Sequence, residues 1–252
     1  MLVRLLLEYD GEDFAGWQTQ RGRQRTVQGE LAQALAELPG TWGSLQGAGR
    51  TDAGAHAEAQ VASLTYQGPL PLGRLRAAIN AHLPADVAVL SAEEAPPGFH
   101  ARFSAIARHY RYRYLDRPAR PVLGRGRCWW LARRLDEDAM AGGLPALVGR
   151  HDWTTYCVAG PRSGRGGEDN VRELFAASVE RRGPFLDLDL VGRGFLRGQV
   201  RGIAGALAEV GLRRRSATWP GELLRARDRR QAPRTAPACG LTLVGVRYPG
   251  TG

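Results

Sequence analysis

A chain of 252 residues, 43% hydrophobic and 24% charged, is long enough for one large or two small domains with a core, and its composition excludes a disordered or fibrous protein. Its 35 basic residues exceed its 25 acidic ones, for a formal charge of +10, so a polyanion is the natural partner. All the basic residues are arginines, which excludes a Walker A loop, a pyridoxal Schiff base and a lysine general base, and arginine forks suit phosphates and stacked bases.

In chain order, Leu2 to Tyr9 predicts a mostly apolar strand ended by Asp10-Gly11. An aromatic loop, Asp13 to Gln18, leads to a basic tip at Arg21, Arg23 and Arg25. Thr26 is placed to cap a helix carrying Val27, Leu31, Leu35 and Leu38, which Pro39-Gly40 stops. Gly49-Arg50-Thr51-Asp52-Ala53-Gly54 lies between this amphipathic segment and an alternating one, Ala59 to Tyr66, so it predicts a tight connector. A connector of this kind can hold a carboxylate in one pose, and Arg50, two residues away, is placed to favour its ionised form. A surface turn with a local ion pair is the plainer alternative. Leu72 to Leu83 predicts a second helix and Asp86 to Leu90 a further strand, an α+β arrangement.

From Ala107 the run to Tyr114 alternates strictly. Tyr110, Tyr112 and Tyr114 fall on one face, and His109, Arg111 and Arg113 on the other. That suits a base-stacking, phosphate-binding surface and equally a core strand with a basic outer face. Asp136 to Val148 predicts a helix weakened by Gly142, Gly143 and Pro145, and Gly160 to Gly167 a basic loop with Arg162 and Arg165. Strands follow at Val171 to Val179 and Phe185 to Val191. Leu196, Val200, Ile203, Leu207 and Val210 then give a clear helical stripe, in which Gly198, Gly202 and Gly205 imply a close neighbour. A short basic helix, Trp219 to Arg230, and a last strand, Leu241 to Tyr248, complete the chain.

Cys128, Cys157 and Cys239 suggest neither a disulfide framework nor a zinc knuckle, and the five histidines show no ligand spacing, so no metal is expected. Without an apolar run able to span a bilayer, and with Leu5-Leu6-Leu7 cut short by Glu8 and Asp10, no membrane is expected and a cytoplasmic location is.

Tyr9-Asp10-Gly11 through Gly16-Trp17-Gln18, Gly49 to Gly54, Asn80 with Leu83-Pro84, Phe99-His100-Ala101-Arg102-Phe103-Ser104, Tyr110-Arg111-Tyr112, His151-Asp152, Gly194-Phe195-Leu196 with Val200-Arg201, and Gly240-Leu241 occur in an order that resembles the tRNA pseudouridine synthase A family over essentially the whole chain. The resemblance implies a pseudouridine synthase fold: two similar half-domains, residues 1–105 and 106–252, whose antiparallel or mixed sheets join around a positively charged cleft. It implies isomerisation of uridine to pseudouridine at nucleotides 38, 39 and 40, on the 3′ side of the tRNA anticodon stem and loop, by a homodimer without cofactor or metal. Asp52 matches the essential aspartate. Arg50 matches the arginine of its loop, Tyr110 the active-site tyrosine, Arg201 the aspartate's basic partner and Leu241 the apolar residue near the base. Further RNA contacts are expected from Arg21, Arg23, Arg25, His56, Arg102, Arg162 and Arg165. Ala55 and Gln199 depart from the family's usual valine and methionine, with an effect on packing alone. A different RNA uridine as target and a non-catalytic RNA-binding module are the rival readings.

Overall fold

The computed structural model describes residues 1–20, 22, 24–158 and 170–250. It is an α+β fold of two compact units, one formed by Met1–Arg108 with the C-terminal stretch from Thr242, the other by His109–Leu241.

In the first unit, β1 (Leu2–Tyr9) buries Val3, Leu5, Leu7 and Tyr9 on alternate positions, as the period of a strand requires. The helix α1 (Val27–Ala36) begins at Thr26, whose hydroxyl accepts the Gly29 N–H at 3.2 Å, and buries Val27, Leu31, Ala34 and Leu35. Two short strands, β2 (Thr41–Trp42) and β3 (Gln46–Gly47), pair with β4 (His56–Gln67). β1 lies between β4 and β5 (Val87–Glu94), antiparallel to both. The helix α2 (Leu72–Asn80) ends on Asn80, whose amide takes the Val89 N–H at 2.8 Å and gives to the Val89 carbonyl at 2.9 Å, which locks helix to strand.

The second unit holds β6 (Ala107–Leu115), β7 (Trp129–Trp130), β8 (Gly149–Asp152), β9 (Val171–Arg182) and β10 (Phe185–Gly192), in the order β6, β10, β9, β8 with β7 beside β6. Its helices are α3 (Glu137–Gly142), α4 (Gln199–Gly211) and α5 (Trp219–Ala226). The predicted helix at Asp136–Val148 is therefore shorter. It stops before Gly143, and Pro145 opens a separate 3-10 turn, Pro145–Leu147. Likewise α4 starts at Gln199 because Gly198 sits at φ +74°, outside a right-handed helix, and α5 ends before Arg227 at φ +48°. The last strand, β11 (Leu241–Arg247), runs parallel to β4 with Thr242 opposite His56. From Thr242 on, the chain is thus part of the first unit's sheet, whereas the sequence placed it with the second half. Among the described residues no helix is long and apolar enough to cross a membrane.

The alternating strand β6 is decided by its partner. Tyr112 and Tyr114 have 0% exposure, and their hydroxyls donate to the carbonyls of Pro237 and Ala204, each at 2.8 Å. On the other face His109 Nε2 lies 2.7 Å from Asp189, Arg111 Nε 3.1 Å from the same acid, and Arg113 grips Asp187 with two bonds of 2.7 Å. Tyr112 and Tyr114 are therefore core residues, and the basic row is neutralised by β10, so neither these two rings nor that row forms an RNA-binding face.

A second bidentate pair lies nearby. Asp116, 3% exposed, takes bonds of 2.8 and 2.9 Å from Arg181 and one of 2.9 Å from the Leu135 N–H. Burial alone would raise its carboxyl, but those donors outweigh it and hold the group below its ordinary value. With the folded value depressed below an unfolded one of about 3.9, this stability is fully present above about pH 4 and is lost as pH falls through the folded value. Asp116→Asn should therefore cost roughly 3 kcal/mol near neutral pH and progressively less in acid. Thermal melts of both proteins from pH 7 to pH 2 check this, and a melting gap that stays constant over the series would refute it.

Candidate active-site loop

The turn bearing Asp52 is held from below by the first motif of the chain. Gly11 passes so close that a Cβ there would lie 1.9 Å from the Ala55 carbonyl oxygen. At Gly16, with φ +104°, a Cβ would come within 2.7 Å of the Thr51 oxygen. Both contacts require glycine, and Gly16 also needs it for its backbone angle. Backbone bonds complete the dock: Trp17 N to Thr51 O at 3.2 Å, Gly54 N to Phe14 O at 3.1 Å, and Ala55 N to Asp52 O at 3.1 Å. Trp17, 2% exposed, packs against Gly47, where a Cβ would meet its ring at 2.4 Å.

A buried polar relay sets the height of the loop. Tyr9 Oη and Thr51 Oγ1 are 2.8 Å apart. Gln60, 0% exposed, donates to the Gly49 carbonyl at 2.8 Å and accepts the Gly49 N–H at 3.3 Å, while its amide nitrogen lies 3.4 Å from Tyr9 Oη. Arg108 adds a third anchor, giving bonds of 3.2 and 2.8 Å to the Ala48 carbonyl. Asp52 itself is partly exposed, at the top of a turn whose backbone is fixed on both sides.

The sequence did not single out Gln60 or Arg108. The signal for Gln60 was a lone amide among Ala62, Leu64 and Tyr66 on one phase of β4, a face that proves buried. Gln60→Met keeps the bulk and removes both bonds to Gly49. It should lower turnover by roughly 10- to 100-fold through a displaced carboxylate, with tRNA affinity unchanged. Single-turnover kinetics beside filter binding decide it, and unaltered turnover would remove Gln60 from the positioning set.

Several expected contacts need correction. Arg50 is exposed and makes no ion pair with Asp52 among the described residues, so it does not supply the charge that the sequence reading gave it. His56, 3% exposed, is a fixing residue rather than an RNA contact, its Nδ1 lying 3.0 Å from both the Gly11 N–H and an Asp10 carboxylate oxygen. Arg25 is likewise structural: it bridges Asp86 at 2.6 and 2.8 Å and Glu30 at 2.9 Å, with its guanidinium over the Phe14 ring at 4.2 Å. Arg102 is exposed, as an RNA contact must be. Arg21, Arg23, Arg162, Arg165 and the Gly160–Gly167 loop lie outside the described residues.

In the second unit, Tyr110 is buried with Phe195 edge-on at 5.2 Å. Arg201 stands in the first turn of α4, and its Nε donates to the Ala236 carbonyl at 2.7 Å, while the Ala236 N–H returns a bond of 3.1 Å to the Arg201 carbonyl. The close neighbour implied by the glycines of α4 is real: a Cβ on Gly205 would lie 1.7 Å from the Arg234 oxygen, and one on Gly202 2.6 Å from the Tyr156 oxygen. Leu241 is buried directly after Gly240, whose Cα packs under the Tyr112 ring.

A family profile described as tRNA pseudouridine synthase matches residues 6–104 and 144–249. The chain belongs to that family of RNA-modifying isomerases. It is 42% identical over 248 residues to the tRNA pseudouridine synthase A of Geobacter sp. (strain M21) and 44% identical over 248 residues to that of Maricaulis maris, in both cases over 98% of either chain. It is 42% identical over 247 residues to the tRNA pseudouridine synthase A of Moorella thermoacetica, over 98% of this chain and 99% of that one.

Proposed function

We propose that this chain isomerises uridine to pseudouridine in tRNA, at nucleotides 38, 39 and 40 of the anticodon stem and loop, with Asp52 as the essential carboxylate. The observation that carries this proposal is the turn of Asp52, docked by Gly11 and Gly16 in a chain that matches its relatives end to end. The C1′ to N1 bond breaks, the uracil turns, and C5 bonds to C1′. C5 loses a proton and N1 gains one, so no oxidant or reductant is needed. A carboxylate held rigidly can add to C6, attack C1′ or take the C2′ proton, and all three require it ionised. Arg201 is the guanidinium assigned to keep it so. Because the target base is stacked, it must be flipped out. The exposed Arg50 is suited to fill the gap, while Tyr110 stacks on the extruded ring and Leu241 lines its apolar edge. The protein acts as a cytoplasmic homodimer, each protomer helping to bind the tRNA modified by the other.

The test is incubation with an unmodified tRNA transcript followed by carbodiimide treatment and primer extension. New stops at nucleotides 38 to 40 are expected. Stops elsewhere alone would indicate a different uridine, and none at all would favour a binding module without turnover.

A further inference from the structure

Phe103 is 77% exposed, and its loop leaves it no choice. His100 donates its N–H to Ser104 Oγ at 3.0 Å and accepts the Ser104 N–H at 2.9 Å. Its Nδ1 receives the N–H groups of Arg102 and Phe103 at 3.1 and 3.4 Å. Below them the Ala101 N–H reaches Ser63 Oγ at 3.1 Å, Tyr248 donates to the Ala101 carbonyl at 2.7 Å, and Arg108 to the Arg102 carbonyl at 2.7 Å. A lone exposed apolar residue is ordinary on a protein surface. One fixed outward by a turn with this many bonds, next to an exposed Ile106, is a built feature.

The flanks of the ring say what it is built for. The His100 ring lies 4.5 Å from it, and the Arg102 guanidinium stands over it at 5.6 Å. Those neighbours set a second ring and a cation beside an aromatic side chain that stays largely exposed, which suits a nucleobase joined to a phosphate. On a chain with a formal charge of +10, a polyanion is the partner that this ring and cation fit. We propose that Phe103, steadied by His100 and Arg102, is a stacking platform for an unpaired base of the substrate tRNA other than the uridine that is isomerised. This extends the tRNA-isomerase function proposed above and depends on it.

The experiment measures binding of an unmodified tRNA transcript by filter retention over a sodium chloride series, with single-turnover conversion in parallel, for Phe103→Ala, Phe103→Leu, Phe103→Trp and Arg102→Ala. Loss of one stacked base should raise Kd by about 5- to 100-fold in the alanine and leucine variants, whereas tryptophan retains the wild-type affinity. The salt slope should stay unchanged for Phe103→Ala but fall by about one for Arg102→Ala, since only the arginine neutralises a phosphate. Wild-type affinity in Phe103→Ala, or a loss that tryptophan fails to restore, overturns the platform. Recovery by leucine together with a smaller sedimenting species for Phe103→Ala would assign the face to a second copy of the chain instead. Failure of the wild type to convert any tRNA uridine is a separate result that strikes the proposed activity itself.

Discussion

Replacing Asp52 by alanine or asparagine should abolish pseudouridine formation, by more than about four orders of magnitude, while tRNA still binds. The loss is expected to be near total because the chemistry has one oxygen centre, and an amide of the same shape can neither add to C6 or C1′ nor accept a proton. Binding should survive because affinity for a polyanion comes from arginines facing phosphates, and deleting a carboxylate removes repulsion. The turn should survive as well, since the backbone bonds of Thr51, Asp52 and Gly54 that dock it stay in place. Primer-extension mapping and filter binding on the same preparation separate the possibilities. Conversion by either variant would clear Asp52 of the chemistry, and lost binding with lost conversion would make it a structural residue.

A methyl group on Gly11 should be damaging too, although less so than loss of the carboxylate and although it touches no substrate. Its carbon would lie 1.9 Å from the Ala55 oxygen and 2.5 Å from the Ala55 carbonyl carbon, both main-chain atoms that cannot swing aside. Either β1 or the Asp52 turn must shift. Gly11→Ala is expected to lower turnover by roughly 100-fold or more and stability by about 1 to 3 kcal/mol. Gly73→Ala is the control: on α2 nothing lies within 4 Å of the added carbon, and a helical alanine should be neutral or slightly stabilising. Single-turnover kinetics and thermal melts of the pair decide the matter, and equal behaviour would mean that the turn is not docked on Gly11.

What could be read from the sequence was mostly local. The cap at Thr26, the stripe of α4 and the period of β6 each follow from neighbours within a few residues. Which face of β6 is buried does not, because the answer lies with Asp187 and Asp189 on β10, more than seventy residues on. For the same reason Arg25 read as an RNA contact: its partner Asp86 is 61 positions away. The aspartate loop was visible through its motif, but the purpose of Gly11 and Gly16 appears only when Ala55 and Thr51 are seen pressed against them. Arg50 was misjudged as a counter-charge because adjacency in sequence is not adjacency of side chains around a turn.

The segment from Arg234 to Pro237 ties together residues that the sequence presents as separate motifs. Its Ala236 is bonded to Arg201 in both directions, its Pro237 carbonyl holds the Tyr112 hydroxyl, and Gly240, three residues on, lies under the Tyr112 ring. Tyr112, Arg201 and Leu241 are therefore geared to one short strap. Lengthening or kinking that strap would swing the Arg201 guanidinium and slide Leu241 together, so its spacing sets the position of two side chains at once without bearing either.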